Sequence, residues 1–207
     1  MRLIKAIPIF FTILKATIIN VPSDYGTVQA GINQAEDGDT VLVSQGTYYE
    51  NLVINKEIVL ASQAIFDDIS VANWYNNPNI TGTIINGSGS NNPKKRSCLI
   101  VRDGDIQPTI KGLTFEGGVG TNMLILDCSE GDNLYRSELT GGGVLIYDAY
   151  PTINYNRFMN NGITPETERG RKGSKNGGAI AHYEDAEVEF DEDRESAPDS
   201  NSNVNRT

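Results

Sequence analysis

Three side chains able to bind or react recur at one point of successive repeats. Arg102, Tyr147 and His182 directly follow the short apolar runs "LIV", "VLI" and "AIA". A column of guanidinium, phenol and imidazole would suit a sugar chain, offering donors to hydroxyls or carboxylates and a ring face to a pyranose. Carboxylates lie beside them, at Asp103, Asp105, Asp148, Glu184 and Asp185. If the repeats stack as strands about 4.8 Å apart, Asp103 and Asp148 fall within the roughly 5–9 Å at which paired carboxylates hydrolyse a glycosidic bond. The same oxygens could bind Ca²⁺, and Asp is equally an ordinary turn residue. Arg157 completes the candidate set as a cation that its repeat does not need for shape. With one histidine in the chain and no Ser-His or Cys-His constellation, triad chemistry is disfavoured. No residue is assigned a catalytic role.

These residues need a scaffold, and the scaffold is legible as a repeat. Short strand-like runs ("TVLVS", "NLVI", "EIVLAS", "TIIN", "CLIV", "TIKGLTF", "MLIL", "VLIY", "TINYNRF", "AIAHY") are separated by Gly, Asn, Asp and Pro, and the chain holds 21 Gly and 21 Asn. Such residues punctuate strands for backbone reasons. "PTIKGLTF" (108–115) matches "PTINYNRF" (151–158), and "GGGVLI" (141–146) matches the "GAIA" of 178–181 at an offset of 35. Alternate side chains then form inward columns: Leu99, Val144 and Ala179; Val101, Ile146 and Ala181; Ile110, Ile153 and Val188; Phe115 and Phe158. One helix is predicted, about 27–36, with Thr27 as N-cap and Gly38 as stop.

The rest of the chain limits the function classes. Nine Asp or Glu against one Arg in residues 184–199 account for most of the net charge of -10, and no Lys/Arg-dense surface is present for nucleic acid. Residues 1–17 have a positive start and an apolar stretch from Ala6 to Leu14. This fits a secretory signal better than a membrane span of ~20 residues; a first buried strand is the alternative. Cys98 and Cys128 make neither a disulfide framework nor a metal spacing, and read as small buried apolar residues. The insertions 116–140 and 159–176 could wall a groove, and 191–207 reads as an acidic disordered tail.

The stretch 19–62, with "GINQAEDGDTVLVSQGTYYEN" at its centre, together with the later "PTIKGLTF" and "GGGVLIYDAYPTINYNRFMNNG", resembles the N-terminal cap and first coils of secreted right-handed parallel β-helix proteins of the pectin lyase-like superfamily. The resemblance implies an all-β solenoid over 18–190 with one short capping helix, outside the cell. It also implies active sites, where they exist, on the outer face of one stacked sheet. The motifs of its enzymes are missing: no Gln pair follows "LTFEGG", and His182 lacks a Gly-His-Gly setting. The expectation is therefore a secreted or cell-surface module that binds or displays carbohydrate without catalysis and without a cofactor. The alternative is the N-terminal part of a polysaccharide lyase or glycoside hydrolase.

Overall fold

The computed structural model describes residues 15–90, 92, 96–127, 134–162, 175–176, 178–183 and 188–189. Residues 1–14 of the expected 1–17 signal segment, Cys128, Glu184, Asp185 and the expected tail of 191–207 lie outside the described residues.

The fold is predominantly β, and most of it is parallel. Ile18–Val21, Thr40–Val43, Val59–Ser62, Thr109–Lys111 and Thr152–Asn154 pair in that order as a first sheet. Gly46–Tyr48, Thr83–Asn86, Thr114–Glu116 and Arg157–Met159 make a second, and Leu52–Ile54, Leu99–Val101, Val144–Tyr147 and Ile180–Tyr183 a third. From Thr40 onward the chain visits first, second and third sheets in turn. Turn residues force each change of direction: Gly112, at φ +72, splits "TIKGLTF" into two strands on different sheets, and Tyr155, at φ +56, does the same for "TINYNRF".

Parallel register stacks like on like. Ile19, Val41, Leu60, Ile110 and Ile153 form one inward row, and Tyr48, Ile85, Phe115 and Phe158 another. The rings of Phe115 and Phe158 stack with centroids 5.5 Å apart. In the third sheet Leu52, Leu99 and Val144 align inward, as do Ile54, Val101 and Ile146. This apolar interior is the main source of stability.

The last repeat departs from the expected register by one residue. Ile180, not Ala179, pairs with Val144, and His182, not Ala181, pairs with Ile146. The glycine run explains the slip. Val144 N–H donates to the Ala179 carbonyl, so Ala179 occupies the place of Gly143 at the corner and the offset is one longer. Tyr147 consequently aligns with Tyr183, so Arg102, Tyr147 and His182 do not form one column. Val188 is also misplaced by the sequence reading, since it pairs antiparallel with Ile125 rather than extending the Ile110–Ile153 row.

The insertion expected to wall a groove is instead a strap. Thr121–Asp127 and Leu134–Thr140 form an antiparallel hairpin inside a fourth, mixed sheet with Lys175–Asn176 and Val188–Glu189. Met123 of the strap packs on Ile100, Leu145 and Ala181, which face outward from the third sheet, with Val53, Tyr147 and Tyr183 at the margin. The Thr121 hydroxyl oxygen accepts from the Ser97 N–H at 3.1 Å, and Tyr183 Oη donates to Thr140 Oγ1 at 3.0 Å, tying the base of the strap down.

One end of the stack is closed by the helix Val28–Gln34, whose Thr27 cap accepts from the Ala30 N–H. Val28, Gly31 and Ile32 are its buried face, and a Cβ on Gly31 would press on Val21 and Val41. The Glu50 carboxylate accepts from the Val28 and Gln29 N–H groups at 2.9 Å each, satisfying donors that a helix start leaves unpaired. At the other end Lys56 Nζ donates to the carbonyls of Asn33 and Ala35, where a cation suits the helix dipole.

Candidate functional site

Three of the six candidate residues, Arg102, Asp103 and Asp148, lie on the corner where the chain passes from the third sheet to the first, and His182 meets that corner through Tyr150. Two turns stack there, 102–108 and 147–151, joined by Gly104 N–H donating to the Asp148 carbonyl at 2.9 Å and by a parallel bridge between Ile106 and Ala149. The aspartates owe their place to backbone shape. Asp103, Asp105 and Asp148 have φ of 81°, 46° and 44°, the left-handed region that Asp tolerates better than most side chains. Their first role is thus to turn the chain.

Arg102 and Asp103 form an ion pair at 3.5 Å. The guanidinium follows the inward Val101 and sits largely covered, whereas the Asp103 side chain is about half exposed, so the pair presents its acidic half to solvent. Across the corner the exposed Tyr150 meets His182 edge to face, ring centroids 6.2 Å apart. His182 reaches this point because its strand is shifted by one residue relative to the sequence reading. Tyr147, by contrast, belongs to the apolar margin under the strap. The corner thus presents two adjoining rings and a carboxylate held by a largely covered guanidinium, groups able to recognise sugar hydroxyls and ring faces. Among the described residues, no group of three or more His, Cys, Asp or Glu is placed to hold a metal ion.

Arg157 stands apart. It begins a strand of the second sheet, and its guanidinium carbon lies 4.7 Å from the centroid of Tyr75. Tyr75 touches Trp74, which in turn approaches Tyr155. Sequence reasoning found the arginine and missed the rings around it. Trp74 and Tyr75 lie in the 63–82 excursion between two strands, and the available signal was a large aromatic pair set beside the Asn-rich run of 73–79.

Cys98 is buried beside the strap base, its Sγ within 3.3 Å of the Glu116 carbonyl. Burial pushes its thiol up to about 11, so it is a packing residue rather than a nucleophile. Among the described residues, no helix is long and apolar enough to cross a membrane. Comparisons with protein-family models, with characterised proteins and with solved structures find no match to this chain.

Proposed function

We propose that the chain is a right-handed parallel β-helix module, similar to the pectin lyase-like superfamily, that works outside the cell by binding or displaying carbohydrate and has no catalysis of its own. Support for the solenoid comes from strands that visit three parallel sheets in turn, in register, under a capping helix. Support for binding rests on one observation: the exposed Tyr150 ring meets His182 on a turn that stacks on the turn carrying the Arg102–Asp103 pair. Sugars are held by ring faces and by a few placed donors and acceptors, and this corner has both.

Two further features favour binding over catalysis. The outward residues Ile100, Leu145 and Ala181 of the third sheet are apolar and pack under Met123, unlike the polar groove that a reacting sugar needs. Asp103 is already engaged by Arg102, and both Asp103 and Asp148 have turn conformations.

The test is retention of the full chain on an array of neutral and acidic glycans, with the same glycans incubated in solution and followed by ultraviolet absorbance for new 4,5-unsaturated ends and by reducing-end release. Retention without cleavage, weakened about tenfold or more by Tyr150→Ala or His182→Ala, is the expected result. Cleavage would replace the binding reading with an enzymatic one, and absence of retention on every glycan would end it.

A further inference from the structure

A second site is built on the 63–82 excursion. Side-chain hydrogen bonds hold its frame: the Asp67 carboxylate accepts from Asn77 Nδ2 and Asn79 Nδ2 at 2.8 Å each, Gln45 Nε2 donates to Asn79 Oδ1 at 2.9 Å, and Asn73 Nδ2 donates to the Asp68 carbonyl at 2.9 Å. These bonds fix the short 3-10 turn Trp74–Asn76 against the corner of a later coil. The result is a continuous run of cation and ring: Lys111 Nζ 5.9 Å over Tyr155, Tyr155 6.2 Å from Trp74, Trp74 5.5 Å from Tyr75, and Tyr75 beneath Arg157.

Three observations point beyond packing. First, neither cation has a carboxylate partner among the described residues, and Arg157 Nε is buried without any hydrogen-bond partner, in a chain of net charge -10 where acids outnumber bases. Second, the Arg157 guanidinium carbon lies 4.7 Å from the Tyr75 centroid, and a cation held by a ring still has N–H donors to give to a planar or tetrahedral oxyanion. Third, Tyr155 takes the corner that Gly112 takes in the preceding coil, since Asn154 aligns with Lys111. The corner requires positive φ, +72° for Gly112 and +56° for Tyr155, and a bulky side chain there is strained. Shape alone favours glycine at this corner, and the chain keeps a ring.

We propose that Arg157, Lys111, Trp74, Tyr75 and Tyr155 form a binding site for a ligand carrying an oxyanion (sulfate, phosphate or carboxylate) on a ring with an apolar face. Arg157 takes the oxyanion through its in-plane donors, Lys111 adds a second positive charge, and Trp74 with Tyr155 lies against the ring. The site is independent of the Tyr150–His182 corner and stands or falls separately.

Trp74 is the chain's single tryptophan, so its emission reports on the site directly. The full chain is excited at the red edge of tryptophan absorption and titrated with glucose 6-sulfate, phenyl sulfate, glucose and inorganic sulfate up to about 10 mM. A saturable change with either ring sulfate, at least about tenfold tighter than with glucose or inorganic sulfate, is expected, and the two arms distinguish a sugar from an aromatic source. Arg157→Gln weakens it about tenfold or more. Arg157→Lys keeps stem and charge, loses the fork, and weakens binding in the same direction while leaving the circular dichroism spectrum and Tm as in the parent. Failure of both ring sulfates to saturate overturns the proposal; so does equal affinity for glucose, or for inorganic sulfate, or parental binding by the folded Arg157→Lys chain.

Discussion

The side-chain amide of Gln29 pairs with the backbone of Val53 as a neighbouring strand would, accepting from its N–H at 2.7 Å and donating to its carbonyl at 3.1 Å. Leu52–Ile54 is the outermost strand of the third sheet at the helix end, so its edge is sealed by one glutamine rather than by another strand. An open edge of this kind invites pairing with another chain. Gln29→Leu leaves both backbone groups unpaired and should cost about 1–3 kcal/mol. Denaturant melts measure the loss, and size-exclusion chromatography at rising concentration should show self-association that the parent lacks.

Two glycines separate backbone contact from backbone conformation. A Cβ on Gly118 would collide with the Gly142 carbonyl oxygen, and one on Gly142 would lie 2.5 Å from the Gly178 carbonyl, because these corners stack backbone to backbone. Gly104, at φ +83, has nothing within 4 Å of a Cβ and needs only the left-handed conformation. Gly118→Ala should prevent the soluble folded state from forming, while Gly104→Ala should cost about 1–2 kcal/mol. Soluble yield and circular dichroism of the two variants check this, and equal behaviour would contradict it.

Asn156 is buried and staples one repeat to the next. Its Oδ1 accepts from the Leu113 N–H at 2.9 Å, and its Nδ2 donates to the Ile110 carbonyl at 2.7 Å. Asn156→Leu, with the same branching and number of side-chain heavy atoms, orphans both groups and should destabilise the fold by about 2–3 kcal/mol. In amide exchange Leu113 should lose protection first.

Cys98 gives the fold an alkaline limit. Burial raises its thiol from the ordinary 9.0 to about 11, so between those values the unfolded chain gives up a proton that the folded chain keeps. Stability from this group is complete below pH 9 and falls as pH rises to about 11, by about 2–3 kcal/mol. Tyr48, raised by burial and by the nearby Glu50 charge, acts in the same direction. Comparing the parent with Cys98→Ala isolates the cysteine. The variant's stability should decline less steeply over pH 9–11, and parallel curves would contradict the assignment.

The inward columns were readable because parallel stacking repeats the same side chain at the same place: Leu99 with Val144, Ile110 with Ile153 and Phe115 with Phe158 all pair as their spacing predicts. Thr27 was readable as a cap for a local reason, its oxygen lying one turn from the Ala30 N–H. The last repeat was misread because its corner is taken by Ala179 where the preceding repeat has Gly143, so matching glycine to glycine sets the register one residue short. The strap was missed although the signal was present. "LIV" and "VLI" are apolar at every position, the mark of a strand covered on both faces, where a solvated outer face would alternate. The contact of Trp74 with Tyr155 joins residues far apart in sequence, and no window around either residue contains it.

The strap changes how the molecule opens. With Val101 and Ile146 facing the interior and Ile100 and Leu145 facing Met123, the middle of the third sheet has no solvent side. Its amides can meet water only after the strap has lifted or the whole stack has come apart. Strands 99–101 and 144–146 should therefore be the slowest-exchanging segments of the chain, and a weakened strap would make them exchange by a local route while the first and second sheets keep their protection.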